Sequence, residues 1–177
     1  DAHLYRKSGV SLIIQVNEQQ KHEIILIQRP VYDGKHSGQV SFPGGKMEKL
    51  DQNLYETAIR ECREEVGVKL SPSHYVGMLS PVLIPVSRFH VEPHVFFLDK
   101  IQNIIPDPYE VSEVFKIQVS DLLHEKNVKT KHIQISETST LKDIPYFDLE
   151  SKVIWGATAL ILSEFKEICK RMPFSDF

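Results

Sequence analysis

Arg60-Glu61-Cys62-Arg63-Glu64-Glu65-Val66-Gly67 places three carboxylates where they could act together. On a helix, Glu61, Glu64 and Glu65 stand at i, i+3 and i+4, so they share one face and span only about 100° of the circumference. The apolar stripe of the same helix is Leu54, Ala58, Ile59, Cys62 and Val66. Glu65 falls between Leu54 and Ala58 on the wheel, and Glu61 lies beside Leu54. These two acids therefore flank the buried stripe. A charge run on a helix is usually a solvated face, but like charges at partly buried positions repel and gain protons unless a cation stabilises them. Hard carboxylate oxygens of this kind suit magnesium or manganese. Arg60, four residues before Glu64, can hold that glutamate by a charge-assisted hydrogen bond. The alternative is a face neutralised by neighbouring Lys and Arg.

Gly44-Gly45, before the helix, lets backbone approach a ligand, and a carbonyl there can complete a metal shell. It is not a phosphate-binding P-loop, because the Gly-Lys-Ser/Thr ending is absent. His residues show no metal-ligand spacing.

The elements that must position these groups follow from periodicity. Gly9 to Val16 and Glu23 to Gln28 read as strands joined by a polar hairpin loop. A short strand, Gln39 to Phe42, is stopped by the Pro43-Gly44-Gly45 turn signal. The helix is predicted from about Asn53 to Val66, with Gly67 as its C-cap. Val76 to Leu83, His94 to Leu98, Val114 to Val119 and Val128 to Ile135 read as further strands. Ile84 to Pro93 reads as a loop, and Ser120 as the cap of a short helix over residues 121–124. A C-terminal helix from about Lys152 to Arg171 carries Val153, Ala157, Leu160, Ile161, Phe165 and Ile168 at helical spacing. Trp155 reads as a core anchor rather than an adenine platform. Strands interleaved with two substantial helices predict an α/β chain with a mixed sheet layered by helices.

The 177 residues fit a single domain, 1–177, with 41% hydrophobic and 25% charged residues. A net charge of −3 gives no general attraction to nucleic acid or to acidic membranes. Cys62 and Cys169 make no disulfide framework and read as reduced thiols. No apolar run approaches the ~18 residues that span a membrane, and the start has no signal-peptide pattern. The expected setting is cytosolic.

Gly45 to Val68 resembles the Nudix box: a glycine, an acid, then Arg-Glu-apolar-x-Glu-Glu-x-Gly-apolar. Arg60, Glu61, Cys62, Glu64, Glu65, Gly67 and Val68 match the closing run at every specified position. The opening departs, with Asp51 where the family usually has Glu and one extra residue before Arg60. Gln28-Arg29, His36-Ser37-Gly38-Gln39-Val40-Ser41-Phe42-Pro43-Gly44-Gly45, Asp51 and Thr57-Ala58-Ile59-Arg60-Glu61 are similar to the coenzyme A pyrophosphatase group. So are Glu110-Val111-x-Glu113-Val114-Phe115 and Ile154-Trp155-Gly156-Ala157-Thr158-Ala159. Glu48 stands where many of these relatives carry Asp.

The resemblance implies an α/β/α sandwich with the box as loop–helix–loop. It also implies cleavage of coenzyme A to adenosine 3′,5′-bisphosphate and 4′-phosphopantetheine, with Mg²⁺ or Mn²⁺. The metal set would be Glu61, Glu65, Glu64 and the Gly45 carbonyl. Glu64, positioned by Arg60, is the favoured base, Glu61 the next, and Glu110 or Glu113 the candidates from a loop. Arg29, Lys46, Lys35, His36, Arg88 and His90 are candidates for phosphate contacts. Other nucleoside diphosphate derivatives, or a silent ligand-sensing module, remain as alternatives. Related folds often dimerise, so a second copy is a candidate partner.

Overall fold

In the computed structural model, which describes residues 4–31 and 38–172, the chain is built around one long strand. This is β1 (Arg6–Val16), parallel to β7 (Phe89–Leu98) over ten residue pairs from Arg6↔Phe89 to Gln15↔Leu98. On its other side β1 pairs antiparallel with β2 (His22–Gln28) and with β4 (Gly44–Lys46). β3 (Val40–Ser41) and β8 (Glu113–Gln118) pair with β2; β5 (Tyr75–Met78) and β6 (Val82–Ile84) pair with β7. The result is an eight-stranded mixed sheet. A second sheet holds β9 (Val128–Ser136), β10 (Ser139–Leu149) and β11 (Lys152–Ile154) in the order β11-β10-β9.

The central strands are apolar on both faces because both faces are covered. Ile13, Ile25, Ile27 and Phe96 pack under α1 (Leu54–Val66) with Cys62 and Val66. Leu12, Ile14, Ile24 and Leu26 pack on the opposite face against α2 (Val119–Leu123), β10, β11 and α3 (Gly156–Arg171). The layers are helix, sheet, then helix with the small sheet, as the mixed α/β expectation required. Both cysteines are buried and free.

Helix α1 forms where its signals place it. The Asn53 side chain accepts from the Glu56 amide, and Gly67 closes the helix at φ 72°. Several other expectations are corrected. Gly44-Gly45-Lys46 is a strand on β1, because Ser8, Gly9 and Val10 offer it a ladder partner. The loop expected from Ile84 to Pro93 becomes strand from Phe89 onward, drawn into the parallel ladder with β1. The segment from Val76 to Leu83 is two strands, broken where Leu79 hydrogen-bonds out to Pro93. Ser120 does not cap α2; its hydroxyl meets Gln118 Oε1. Residues 152–154 are strand rather than helix, and β10, over Ser139–Leu149, was not anticipated. Of the C-terminal stripe, Ile161 and Phe165 are buried but Leu160 and Ile168 are exposed. The buried arc is centred instead on Thr158, Ala159, Leu162 and Lys166. Trp155, half-buried, sits at the N-cap position of α3 beside a groove against β10.

Candidate active site

Two glycines decide how closely α1 can lie over the sheet. A Cβ on Gly9 would sit 2.1 Å from the Leu54 carbonyl oxygen, so only glycine lets the helix rest there. A Cβ on Gly45 would sit 2.5 Å from the Glu61 carboxyl carbon, so the bare backbone makes room for that side chain. Ser8 Oγ donates to the Gly45 carbonyl at 2.7 Å and Ser11 Oγ to the Ala58 carbonyl at 3.0 Å.

Glu65 is fully buried. Its Oε1 accepts from the Gly44 amide at 2.9 Å, while Oε2 is buried with no hydrogen-bond partner and lies 3.7 Å from Arg29 Nη2. Burial raises the Glu65 pKa to about 7, against the opposing pull of Arg29 and the Gly44 amide; Glu61 and Glu110 push the same way as burial. Glu61 is raised from the same leading cause, loss of water, which outweighs Arg60. One ligand atom from each of Glu61, Glu65 and Glu110 can be chosen so that all lie within 4.8 Å of one another. Glu110 reaches them because its loop is tied to the end of α1: Asp107 N–H donates to the Glu65 carbonyl at 2.8 Å and Ile105 N–H to the Val66 carbonyl at 2.9 Å.

Arg60 organises the rest. Its Nε and Nη2 donate to the two oxygens of Asp51 at 3.0 and 2.9 Å, and Nη2 also to the Lys46 carbonyl at 2.9 Å. Its Nη1 donates to Glu61 at 3.1 Å and to Glu64 at 3.0 Å. Asp51 also accepts from Thr57 Oγ1 and from the Glu48 amide, both at 2.9 Å. The Arg60 hydrogen bond, helped by these two, holds Asp51 down at about 2 despite its burial. The acid that departs from the usual pattern is thus the clamp on the arginine that spans two glutamates.

The structure brings Glu61, Glu65 and Glu110 together, sets Gly45 against Glu61 and Arg29 against Glu65, and leaves the other candidates outside the triplet. Glu64, expected in the metal set, is outside that triplet, turned toward solvent on Arg60, with its side chain 55% exposed. Glu113 is held by Lys152 at 2.5 Å rather than aimed at the triplet. Gly45 supplies a carbonyl already engaged by Ser8. Arg29 is committed to the Gly44 carbonyl at 3.0 Å and to Glu65. Lys46 is exposed at the end of β4; Arg88 is exposed on the β6–β7 turn, three residues before Val91, which lies in register with Ser8 and thence Lys46. His90 contacts Glu92 at 3.4 Å. Lys35 and His36 lie outside the described residues. Ser8, Thr57 and the clamp role of Asp51 escaped the sequence reading. Thr57 carried the one available signal, a β-branched hydroxyl one position from the buried stripe.

A family model described as the NUDIX domain matches residues 6–138. The mitochondrial coenzyme A diphosphatase NUDT8 of Homo sapiens is 35% identical over 130 residues, covering 72% of this chain and 54% of its own length. The chain therefore spans about half of that relative. An uncharacterized Nudix hydrolase, NudL, of Yersinia pestis is 33% identical over 139 residues, 78% of this chain and 68% of its own. Among solved structures, a MutT/nudix family protein from Enterococcus faecalis superposes with a TM-score of 0.63 at 16% identity, over 95% of this chain and 63% of that one. At that identity the likeness concerns the fold alone.

Proposed function

Because the chain belongs to the Nudix family, we propose that it hydrolyses a pyrophosphate bond, with coenzyme A or an acyl derivative as substrate. The observation that carries the hydrolytic part is the convergence of Glu61, Glu65 and Glu110 around a buried carboxylate oxygen that has no hydrogen-bond partner. Arg29, 3.7 Å from that oxygen and not hydrogen-bonded to it, does not balance three converging carboxylates, so a further cation is called for. The donor set is all hard oxygen, which fits Mg²⁺ or Mn²⁺. Glu61, Glu65 and Glu110 would hold it. When bound, such an ion offsets charge on phosphoryl oxygens and lowers the pKa of a bound water.

The chain's own residues then divide the work. The Gly44 amide holds Oε1 of Glu65 and Arg29 lies 3.7 Å from its Oε2, so the carboxylate is positioned before any ligand arrives. Arg60, immobilised by Asp51, sets Glu61 and Glu64 with separate hydrogen bonds from one nitrogen. Glu64, outside the triplet and open to solvent, takes the proton of the attacking water. Lys46 and Arg88, exposed at one end of the sheet and without side-chain partners among the described residues, contact substrate phosphates.

Coenzyme A is the substrate favoured by the relatives' names and by the Gly38-Gln39-Val40-Ser41-Phe42-Pro43-Gly44-Gly45 lead-in. Incubation with a panel of diphosphate compounds and Mg²⁺, followed by mass spectrometry of the products, tests it. Adenosine 3′,5′-bisphosphate and 4′-phosphopantetheine are expected. Turnover of ADP-ribose with coenzyme A left intact would reject coenzyme A.

A further inference from the structure

Isolated apolar side chains on a surface are ordinary, so only their distribution carries information. Among the described residues the three most exposed large apolar side chains are Leu50 at 92%, Tyr109 at 90% and Val31 at 88%; the next, Val86, is at 74%. Each of the three borders a residue that builds the carboxylate site. Leu50 precedes Asp51, the clamp on Arg60; Tyr109 precedes Glu110 of the triplet; Val31 follows Arg29, which holds Glu65, by two residues. Three separate loops thus carry an exposed apolar residue within one or two positions of a residue of one charged site.

Tyr109 is exposed without being loosely tethered. Its amide donates to Asp107 Oδ1 at 2.7 Å, and the Asp107 amide is bonded to the Glu65 carbonyl at 2.8 Å. The Val111 amide closes the turn on the Asp107 carbonyl at 2.9 Å. With the backbone fixed, only the two side-chain torsions of the ring are left to be ordered when a ligand lies against it. A diphosphate offers nothing to an apolar rim, but the groups esterified to it do. Of these, an adenine base presents the flat π-face that an exposed phenol ring matches.

We infer that Tyr109 is a specificity-determining residue, stacking on the adenine of the substrate, with Leu50 and Val31 extending an apolar rim around the diphosphate site. The inference rests on the hydrolytic reading above. The test compares the wild type, Tyr109→Ala, Tyr109→Phe and the control Val76→Ala, which removes an exposed apolar group on β5 at the far edge of the sheet. Coenzyme A kinetics with Mg²⁺ are measured alongside inhibition by adenosine 3′,5′-bisphosphate and, separately, by 4′-phosphopantetheine. Tyr109→Ala is expected to raise KM for coenzyme A and the inhibition constant of adenosine bisphosphate about tenfold, the usual scale of one base–aromatic stack. The phosphopantetheine constant stays put, and Tyr109→Phe behaves as wild type. An unchanged adenosine bisphosphate constant in Tyr109→Ala overturns the inference. So does an equal loss in Val76→Ala, failure of Phe to substitute, or weakening confined to phosphopantetheine. A wild type inert toward coenzyme A would reject that substrate alone; equilibrium binding of adenosine bisphosphate to wild type and Tyr109→Ala would still decide the stacking.

Discussion

At the residue scale, the proposed chemistry turns on a carboxylate kept out of water. Glu65 has a pKa of 4.5 in an unfolded chain and about 7 in the fold, so between those values the folded chain binds the extra proton. For this group, metal-free stability is fully present below about pH 4.5 and is lost as pH rises through about 7. Glu61 is shifted in the same direction. Melting temperature in chelator is therefore expected to fall from pH 5 to 8, and Glu65→Gln to flatten that fall. A slope unchanged by the substitution would remove Glu65 as its source. The same variant is expected to fold normally, since its Oε1 can still accept from Gly44, and to lose at least about a hundredfold in turnover. Turnover at the wild-type rate would end its assignment as a metal ligand.

At the element scale, α1 is held against β1 and β4 by absence of side chains as much as by contacts. Gly9→Ala would force a methyl into the Leu54 carbonyl, and the expected cost exceeds the ~1–3 kcal/mol typical of overpacking, because backbone rather than a flexible tip is struck. Gly45→Ala meets the Glu61 carboxylate instead, which can swing away. It is expected to leave stability within about 1 kcal/mol of wild type while activity collapses. Urea titrations of both variants beside their rates check this. Equal loss of stability in the two would mean that α1 itself, and not Glu61, had moved.

At the scale of the whole molecule, the sheet needs both covers. The family match ends at residue 138, yet Phe147, Leu149, Ile154, Ile161, Leu162 and Phe165 all belong to the core cluster that covers Leu12, Ile14 and Leu26. Each buried side chain of this size contributes roughly 1.5–3 kcal/mol, so their loss together is comparable to the whole ~5–15 kcal/mol that keeps a domain folded. A chain cut after Thr138 is expected to show no cooperative unfolding transition, whereas the full chain shows one. A soluble, cooperatively folded fragment would make the C-terminal segments accessory. Among the described residues no helix is long and apolar enough to cross a membrane.

Helix α1, its Gly67 C-cap and the buried side of Glu65 were legible in the sequence, because a 3.6-residue period and a C-terminal glycine act locally. Arg60 pairing with Glu64 was legible for the same reason, four residues being one turn. The strand at Gly44–Lys46, the extension of β7 from Phe89 and the phase of α3 were not, since each is set by a partner distant in the chain. The same division runs through the site. Sequence by itself determined that three glutamates share a helix face and that this face borders a core. Only the tertiary structure decided that Glu110 joins two of them while Glu64 stays outside, and that Asp51 anchors Arg60. Helical spacing fixes angles around one axis; the loop bearing Glu110 is placed by hydrogen bonds to the carbonyls of Glu65 and Val66, which no local pattern records.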